Sequence, residues 1–263
     1  MLYRITDWDD AYANGAHIAR AEDYPPRWSR RAAEFRAAHP PEPLGRGHLF
    51  RPAGAARGLV VFVHGGYWMK FDPTFWSHLA AGPLGAGWAV AIPAYSLAPA
   101  ARIGQMTRDI AAAICEAATR VDGPIALTGH SAGGHLAARM VCDDGTLPDV
   151  IASRIISCLP ISGLFDLRPL MRTAMNDTLG MDTAEAETES PALLPPRAGM
   201  HLTAWVGGSE RPEFIRQSRL IADMWAGLGA ATCHVVDPGR QHFDVIDALA
   251  DPDSALTRAL ISR

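Results

Sequence analysis

Short apolar runs alternate with helix-patterned stretches along most of this chain, and that alternation leaves few folds open to it. The runs lie at 58–63, 88–92, 124–128, 155–161, 201–206 and 232–236, with helical patterns between them at 74–86, 105–120, 132–142, 212–228 and 243–250. The runs are rich in β-branched residues and lack strict apolar–polar alternation, as expected of strands covered on both faces. A strand–helix–strand succession implies right-handed crossovers and a mostly parallel central sheet flanked by helices, an α/β fold. Reactive groups then gather beyond the C-terminal ends of the strands. The 263 residues contain no Pro/Gly/Ser-rich linker and no internal repeat, so a single domain over 1–263 is expected.

Two segments stand outside the alternation. Residues 1–45 hold a helical pattern at 26–38 and a proline-rich stretch after it, leaving only 47–51 for antiparallel strands at the start of the sheet. An abbreviated N-terminal edge follows. The stretch 163–199 is a long excursion between two strands, acidic at 182–189. Insertions of that length commonly serve as binding lids, so a small cap is expected there.

At the exit of the 124–128 run stands Gly129-His130-Ser131-Ala132-Gly133, and a helical pattern follows at once. A serine on such a strand-to-helix turn is pushed out at the top of the sheet, and the glycines let strand and helix approach closely enough to make the bend. Unpaired amides at the helix start favour negative charge developing beside Ser131. These features mark Ser131 as a candidate nucleophile. Upstream, the 58–63 run ends in His64-Gly65-Gly66-Tyr67-Trp68. Attack on a carbonyl creates an oxyanion that needs preorganised donors. The amides of Gly65, Gly66 and Ala132 are the candidates. Tyr67 and Trp68, beside that turn, are candidates for stacking an aromatic part of a substrate, although packing would explain them equally.

A serine of this kind draws its acid and its histidine from downstream, in that order. Beyond the elbow helix lie His201, His234 and His242. His201 and His234 sit in strand-like runs, whereas His242 follows the turn-forming Asp237-Pro238-Gly239-Arg240, where a general base belongs. For the acid, the loop after the 201–206 run offers Glu210, with Glu213 read as an ordinary first-turn helix acid after Pro212. Asp166, one strand earlier, is the rival.

Composition narrows the function classes. A formal net charge of -4 supplies no basic footprint for nucleic acid or an anionic membrane. The chain start lacks a secretory pattern, and no apolar run approaches the ~20 residues of a membrane span, so a cytoplasmic location is expected. Cys115, Cys142, Cys158 and Cys233 show neither zinc spacing nor a disulfide framework and read as buried free thiols. No metal or cofactor is expected. The expected partner is a small acyl amide or ester, and the sequence leaves a homodimer open.

Taken together, these motifs resemble the arylformamidase (kynurenine formamidase) branch of the alpha/beta-hydrolases, close to the hormone-sensitive-lipase-like esterases. The resemblance runs from about Tyr12 onward. Its pieces are His-Gly-Gly-Tyr-Trp at 64–68, the elbow with Gly134-His135-Leu136, the residues Asp166-Leu167, Pro169-Leu170, Thr173 and Asn176, and Pro212-Glu213-Phe214 with Arg216-Gln217-Ser218 and His242-Phe243-Asp244; the elbow is generic, and the Tyr-Trp pair and the Pro212–Ser218 run are the narrow ones. It implies an alpha/beta-hydrolase fold and an acyl-enzyme route through Ser131 and His242. Glu210 stands where the family has an aspartate, a departure, as is the short 45–57 region. The implied substrate is N-formylkynurenine or a similar arylformamide. A general short-chain carboxylesterase or thioesterase is the alternative. A non-catalytic ligand-binding protein on this scaffold is a remote third, since its hallmark is loss of a histidine that this chain keeps.

Overall fold

A computed structural model describes residues 4–262. Among the described residues, eight strands form one sheet: β1 (Glu42–Leu44), β2 (Gly47–Phe50), β3 (Leu59–Val63), β4 (Ala89–Ile92), β5 (Ile125–His130), β6 (Ile155–Ile161), β7 (His201–Gly207) and β8 (Ala231–Asp237). Their order across the sheet is β1-β2-β4-β3-β5-β6-β7-β8. The β1–β2 and β2–β4 pairs are antiparallel and all others are parallel. The abbreviated edge expected from the sequence is thus a short hairpin rather than a single strand. Pro43 fits in β1 because that strand is at the sheet's edge, where a missing N–H costs no ladder bond.

The core divides along the strands residue by residue. On β3, Leu59, Val61 and Val63 pack into one layer, and Val60 and Phe62 into the other. The first layer is closed by helices Ile103–Arg120, Ala132–Arg139 and Pro212–Ala226, and the second by Tyr24–Ala38 and Ala255–Ile261. Every residue of β3, β4 and β5 is buried, which explains why their sequences carry no polar alternation. Each such aliphatic side chain contributes roughly 1.5–3 kcal/mol by leaving water. The helix Ile103–Arg120 shows the matching pattern, burying Ile103, Met106, Ile110, Ile114 and Ala117 at helical spacing.

Three local expectations are corrected. The 74–86 pattern forms 3₁₀ turns, Pro73–Phe75 and Ser77–Ala80, before a short helix Ala81–Gly85. Gly82 lies so close to the 249–251 turn that a Cβ there would sit 2.2 Å from the Leu249 carbonyl. The 243–250 pattern is a loop with a 3₁₀ turn at Asp247–Ala250, and the C-terminal helix instead spans Ala255–Ile261. Its start was readable from Ser254, whose Oγ accepts the Thr257 amide at 3.0 Å. Of the four free cysteines, Cys142 and Cys158 are buried, Cys115 is half-buried and Cys233 is exposed.

The 163–199 excursion is fastened to the core helices. Glu185 accepts from the Gly104 amide and pairs with Arg102 at 2.7 Å, capping the helix Ile103–Arg120 from outside. Glu189 accepts from Thr107 Oγ1 and Arg139 Nε, and its carbonyl is 2.6 Å from His135 Nε2.

Candidate active site

The elbow expected at Ser131 is present in the backbone. Ser131 joins β5 to the helix Ala132–Arg139 with φ 55° and ψ -120°, a conformation that L-residues adopt at a cost of ~1–3 kcal/mol. Its own amide donates to the Ile161 carbonyl at 2.8 Å, which pins the bend to the next strand. Glycine is required at both flanks. A Cβ on Gly133 would lie 2.0 Å from the Val63 carbonyl, and one on Gly129 would lie 2.3 Å from the Gly133 carbonyl.

The turn after β3 packs directly on this elbow. A Cβ on Gly65 would approach the His130 carbonyl to 2.7 Å and Ser131 Cβ to 3.1 Å, and Gly66 has φ 118°. Among the described residues no acceptor takes the amides of Gly65 or Gly66. Ala132 opens the elbow helix, where amides have no intrahelical acceptor. His64 is held away from this work: its ring stacks on Tyr95 at 4.5 Å, and Tyr95 Oη donates to its carbonyl at 2.9 Å.

Of the two rival carboxylates, it is Glu210 that reaches the histidine. His242 Nδ1 and Glu210 Oε2 are 2.6 Å apart, with both residues buried. The other oxygen of Glu210 accepts from Ser162 Oγ and, at 2.8 Å, from the Gly207 amide. Asp166 is instead clamped by Arg168 in a bidentate pair at 2.9 and 2.9 Å. The His242 ring lies between those of His130, at 4.5 Å, and Phe214, at 4.7 Å. Ser162 was missed from the sequence; its one signal is a polar residue at the exit of β6. His201 and His234 lie in β7 and β8.

Ser131, His130, His242, Gly65 and Gly66 line one cavity of about 440 Å³. Tyr67 lines it too, with its hydroxyl donating to the Tyr12 carbonyl. Trp68 does not: it is buried in the core, edge-on to His135 at 5.3 Å, and the expectation that it meets substrate is corrected. The aromatic wall comes instead from Trp28, Phe71, Trp76 and Phe243.

The roof also differs from expectation. Residue 175 is the excursion's sole contribution to the lining, whereas Tyr12, Asn14, Pro25 and Trp28 come from the N-terminal segment. That segment is tied down by Glu213, which is fully buried rather than an ordinary helix acid. Glu213 accepts from Tyr12 Oη at 2.8 Å and holds Arg216 at 2.7 and 2.7 Å, with Gln217 Nε2 at 3.2 Å. The Pro212–Ser218 motif is therefore an anchor for the roof.

Burial holds four imidazoles neutral. The His64 pKa is lowered to about 4, those of His78 and His135 to about 3, and that of His130 falls well below 6.5, desolvation being the main cause in each. In the unfolded chain these groups titrate near 6.5. Between that value and the folded ones, the unfolded chain binds protons that the folded chain does not, so stability falls as pH falls, by ~1.4 kcal/mol per pH unit for each histidine. Urea midpoints should drop steeply from pH 7 to pH 5; a flat midpoint over that range would contradict the burial of these rings as neutral groups.

The model of the alpha/beta hydrolase fold matches residues 60–243. The chain belongs to the alpha/beta-hydrolase family. This hydrolase is 30% identical over 212 residues to the kynurenine formamidase of Danio rerio, covering 77% of this chain and 71% of that one. A crystal structure from a Silicibacter species, described as a candidate thioesterase, is 47% identical, with a TM-score of 0.92 over 98% of this chain and 99% of that one. The Pyrobaculum calidifontis esterase shares the fold at 17% identity and a TM-score of 0.64, covering 94% and 93% of the two chains. Among the described residues of the hydrolase, no helix is long and apolar enough to cross a membrane, and no group of three or more His, Cys, Asp or Glu is arranged to hold a metal ion.

Proposed function

We propose that this hydrolase cleaves small acyl amides through an acyl-enzyme on Ser131, with arylformamides such as N-formylkynurenine as its substrate class. The observation that carries the reading is the buried Glu210–His242 pair, whose histidine lines the same cavity as Ser131, beside two glycine amides without acceptors among the described residues. With Nδ1–H given to Glu210, His242 Nε2 is the basic nitrogen. It takes the Ser131 proton as Oγ attacks the acyl carbon. The amides of Gly65, Gly66 and Ala132 hold the oxyanion. Collapse breaks the C–N bond, and the imidazolium gives its proton to the departing arylamine. Water, deprotonated by the same nitrogen, then releases the acid and restores Ser131. Glu210 orients the ring and stabilises its cation. Tyr67 and the aromatic wall suit the aryl ring of the leaving group.

The kynurenine formamidase relatives support the amide reading, and the Silicibacter relative supports a second, short-chain esterase or thioesterase, for which the same catalytic groups would serve. A side-by-side assay separates them. N-formylkynurenine should be converted to kynurenine and formate with a higher kcat/KM than short p-nitrophenyl esters or acyl thioesters show. Turnover of the formamide far below that of the esters would favour the second reading.

A further inference from the structure

Ser131 is matched one strand over by a second serine that the chemistry above does not use. Ser162 follows the last residue of β6 as Ser131 follows the last residue of β5, and its φ of 51° repeats the 55° of Ser131. Each serine is pinned to the neighbouring strand in the same way. The Ser131 amide donates to the Ile161 carbonyl at 2.8 Å, and the Ser162 amide donates to the Trp205 carbonyl at 2.7 Å. The turn at 162–163 is also tight against the elbow helix, since a Cβ on Gly134 would lie 3.0 Å from Gly163 Cα. Glycine enters the left-handed region freely and serine does not, so the backbone alone gives no reason for a serine at 162.

The hydroxyl gives one. Ser162 is fully buried, so it meets no substrate, and its Oγ donates to Glu210 Oε1. An ionised carboxylate only accepts, which settles the direction of that bond. The Gly207 amide holds the same oxygen at 2.8 Å, and Oε2 is 2.6 Å from His242 Nδ1. A glutamate has several side-chain torsions to fix before its second oxygen stands still opposite an imidazole. One donor fixes where Oε1 sits, and a second donor from another strand fixes how the carboxylate is turned. Ile161 receives the Ser131 amide and Ser162 gives its hydroxyl to Glu210, so two consecutive residues tie the backbone of the nucleophile to the acid.

We infer that Ser162 is a positioning residue of the active site, holding Glu210, and through it His242, in register with Ser131. This deepens the serine-hydrolase reading and rests on it. The strained backbone at 162 is the local cost of aiming that hydroxyl.

The test is a double-mutant cycle of Ser162→Ala and Ser162→Gly with Glu210→Gln. It is read on N-formylkynurenine, on p-nitrophenyl acetate and by the rate of labelling with a fluorophosphonate. Each single variant at 162 should lose roughly tenfold or more in kcat, as expected for a lost hydrogen bond to a charged group, with KM within about twofold of wild type. Ser162→Gly also lifts the strain from the backbone, so its loss of activity cannot be laid to a distorted turn. In the Glu210→Gln background either change should cost less than about twofold more, because Ser162 acts only through the carboxylate. A purely structural role would cost the same factor in both backgrounds, and that result overturns the inference. So does a Ser162→Gly enzyme with wild-type kcat. The inference and the reading beneath it fail differently. Collapse of Glu210→Gln beside full activity in both Ser162 variants rejects the inference alone. Wild-type kcat in Glu210→Gln, or neither turnover nor labelling in wild-type enzyme, rejects the reading and the inference together.

Discussion

Ser131→Ala should lower turnover by ~10⁴-fold or more on any substrate the enzyme accepts, while the fold persists. The residual rate would come from the oxyanion amides and the cavity, which the substitution leaves in place. Fold and chemistry can be read separately here because Ser131 spends backbone energy on its position. At φ 55° and ψ -120° the residue is in a region that glycine enters freely and other residues do not. Ser131→Gly should therefore be as inactive as Ser131→Ala yet more stable than it, by ~1 kcal/mol or more. Two measurements check this: steady-state turnover with a fluorophosphonate labelling assay, and urea midpoints for the three proteins. Activity near wild type in Ser131→Ala would end the serine-hydrolase reading. A glycine variant less stable than the alanine variant would show that the elbow stores no strain.

What was legible in the sequence follows the range of the forces involved. The elbow and the His-Gly-Gly turn were readable because strand, tight bend and helix are set within a few residues, and because glycines record backbone contacts as close as that of Gly133 to Val63. Glu210 was readable from topology, since the loop after β7 must open on the same sheet edge as Ser131. The roof was not. It depends on Tyr12 reaching Glu213 across 201 residues, and nothing near either residue announces the other. The motif around Glu213 was visible, but its meaning required the partner. The same holds for Trp68: its place after the oxyanion turn suggested a substrate contact, and a left-handed backbone at φ 59° sends it to the core. The excursion misled for a related reason. Its length suggested a lid, yet Glu185 and Glu189 are committed to Arg102, Thr107 and Arg139.

Glu210→Gln should cost ~10³–10⁴-fold in kcat with little loss of folded protein, and the reason lies in the donors around the carboxylate. One oxygen of Glu210 accepts from Gly207 N–H and Ser162 Oγ–H, and the other faces His242 Nδ1. A glutamine has one oxygen and one NH₂ to place in those sites. The Gly207 amide cannot accept, so the oxygen must stay on its side and the NH₂ must turn to His242. That NH₂ donates to Nδ1, which drives the ring proton to Nε2, the nitrogen that must be free to take the Ser131 proton. The variant keeps the packing and reverses the tautomer. Asp166→Asn is the control. Asp166 pairs with Arg168, whose side chain is 46% exposed, so removing its charge should alter kcat by no more than a few-fold. The pH profile adds a second readout: in Glu210→Gln, activity should recover in part as alkali promotes deprotonation of Ser131 without the imidazole's help. Collapse of the Asp166 variant with an intact Glu210 variant would overturn the assignment of the acid, and with it the account of how His242 is held for catalysis.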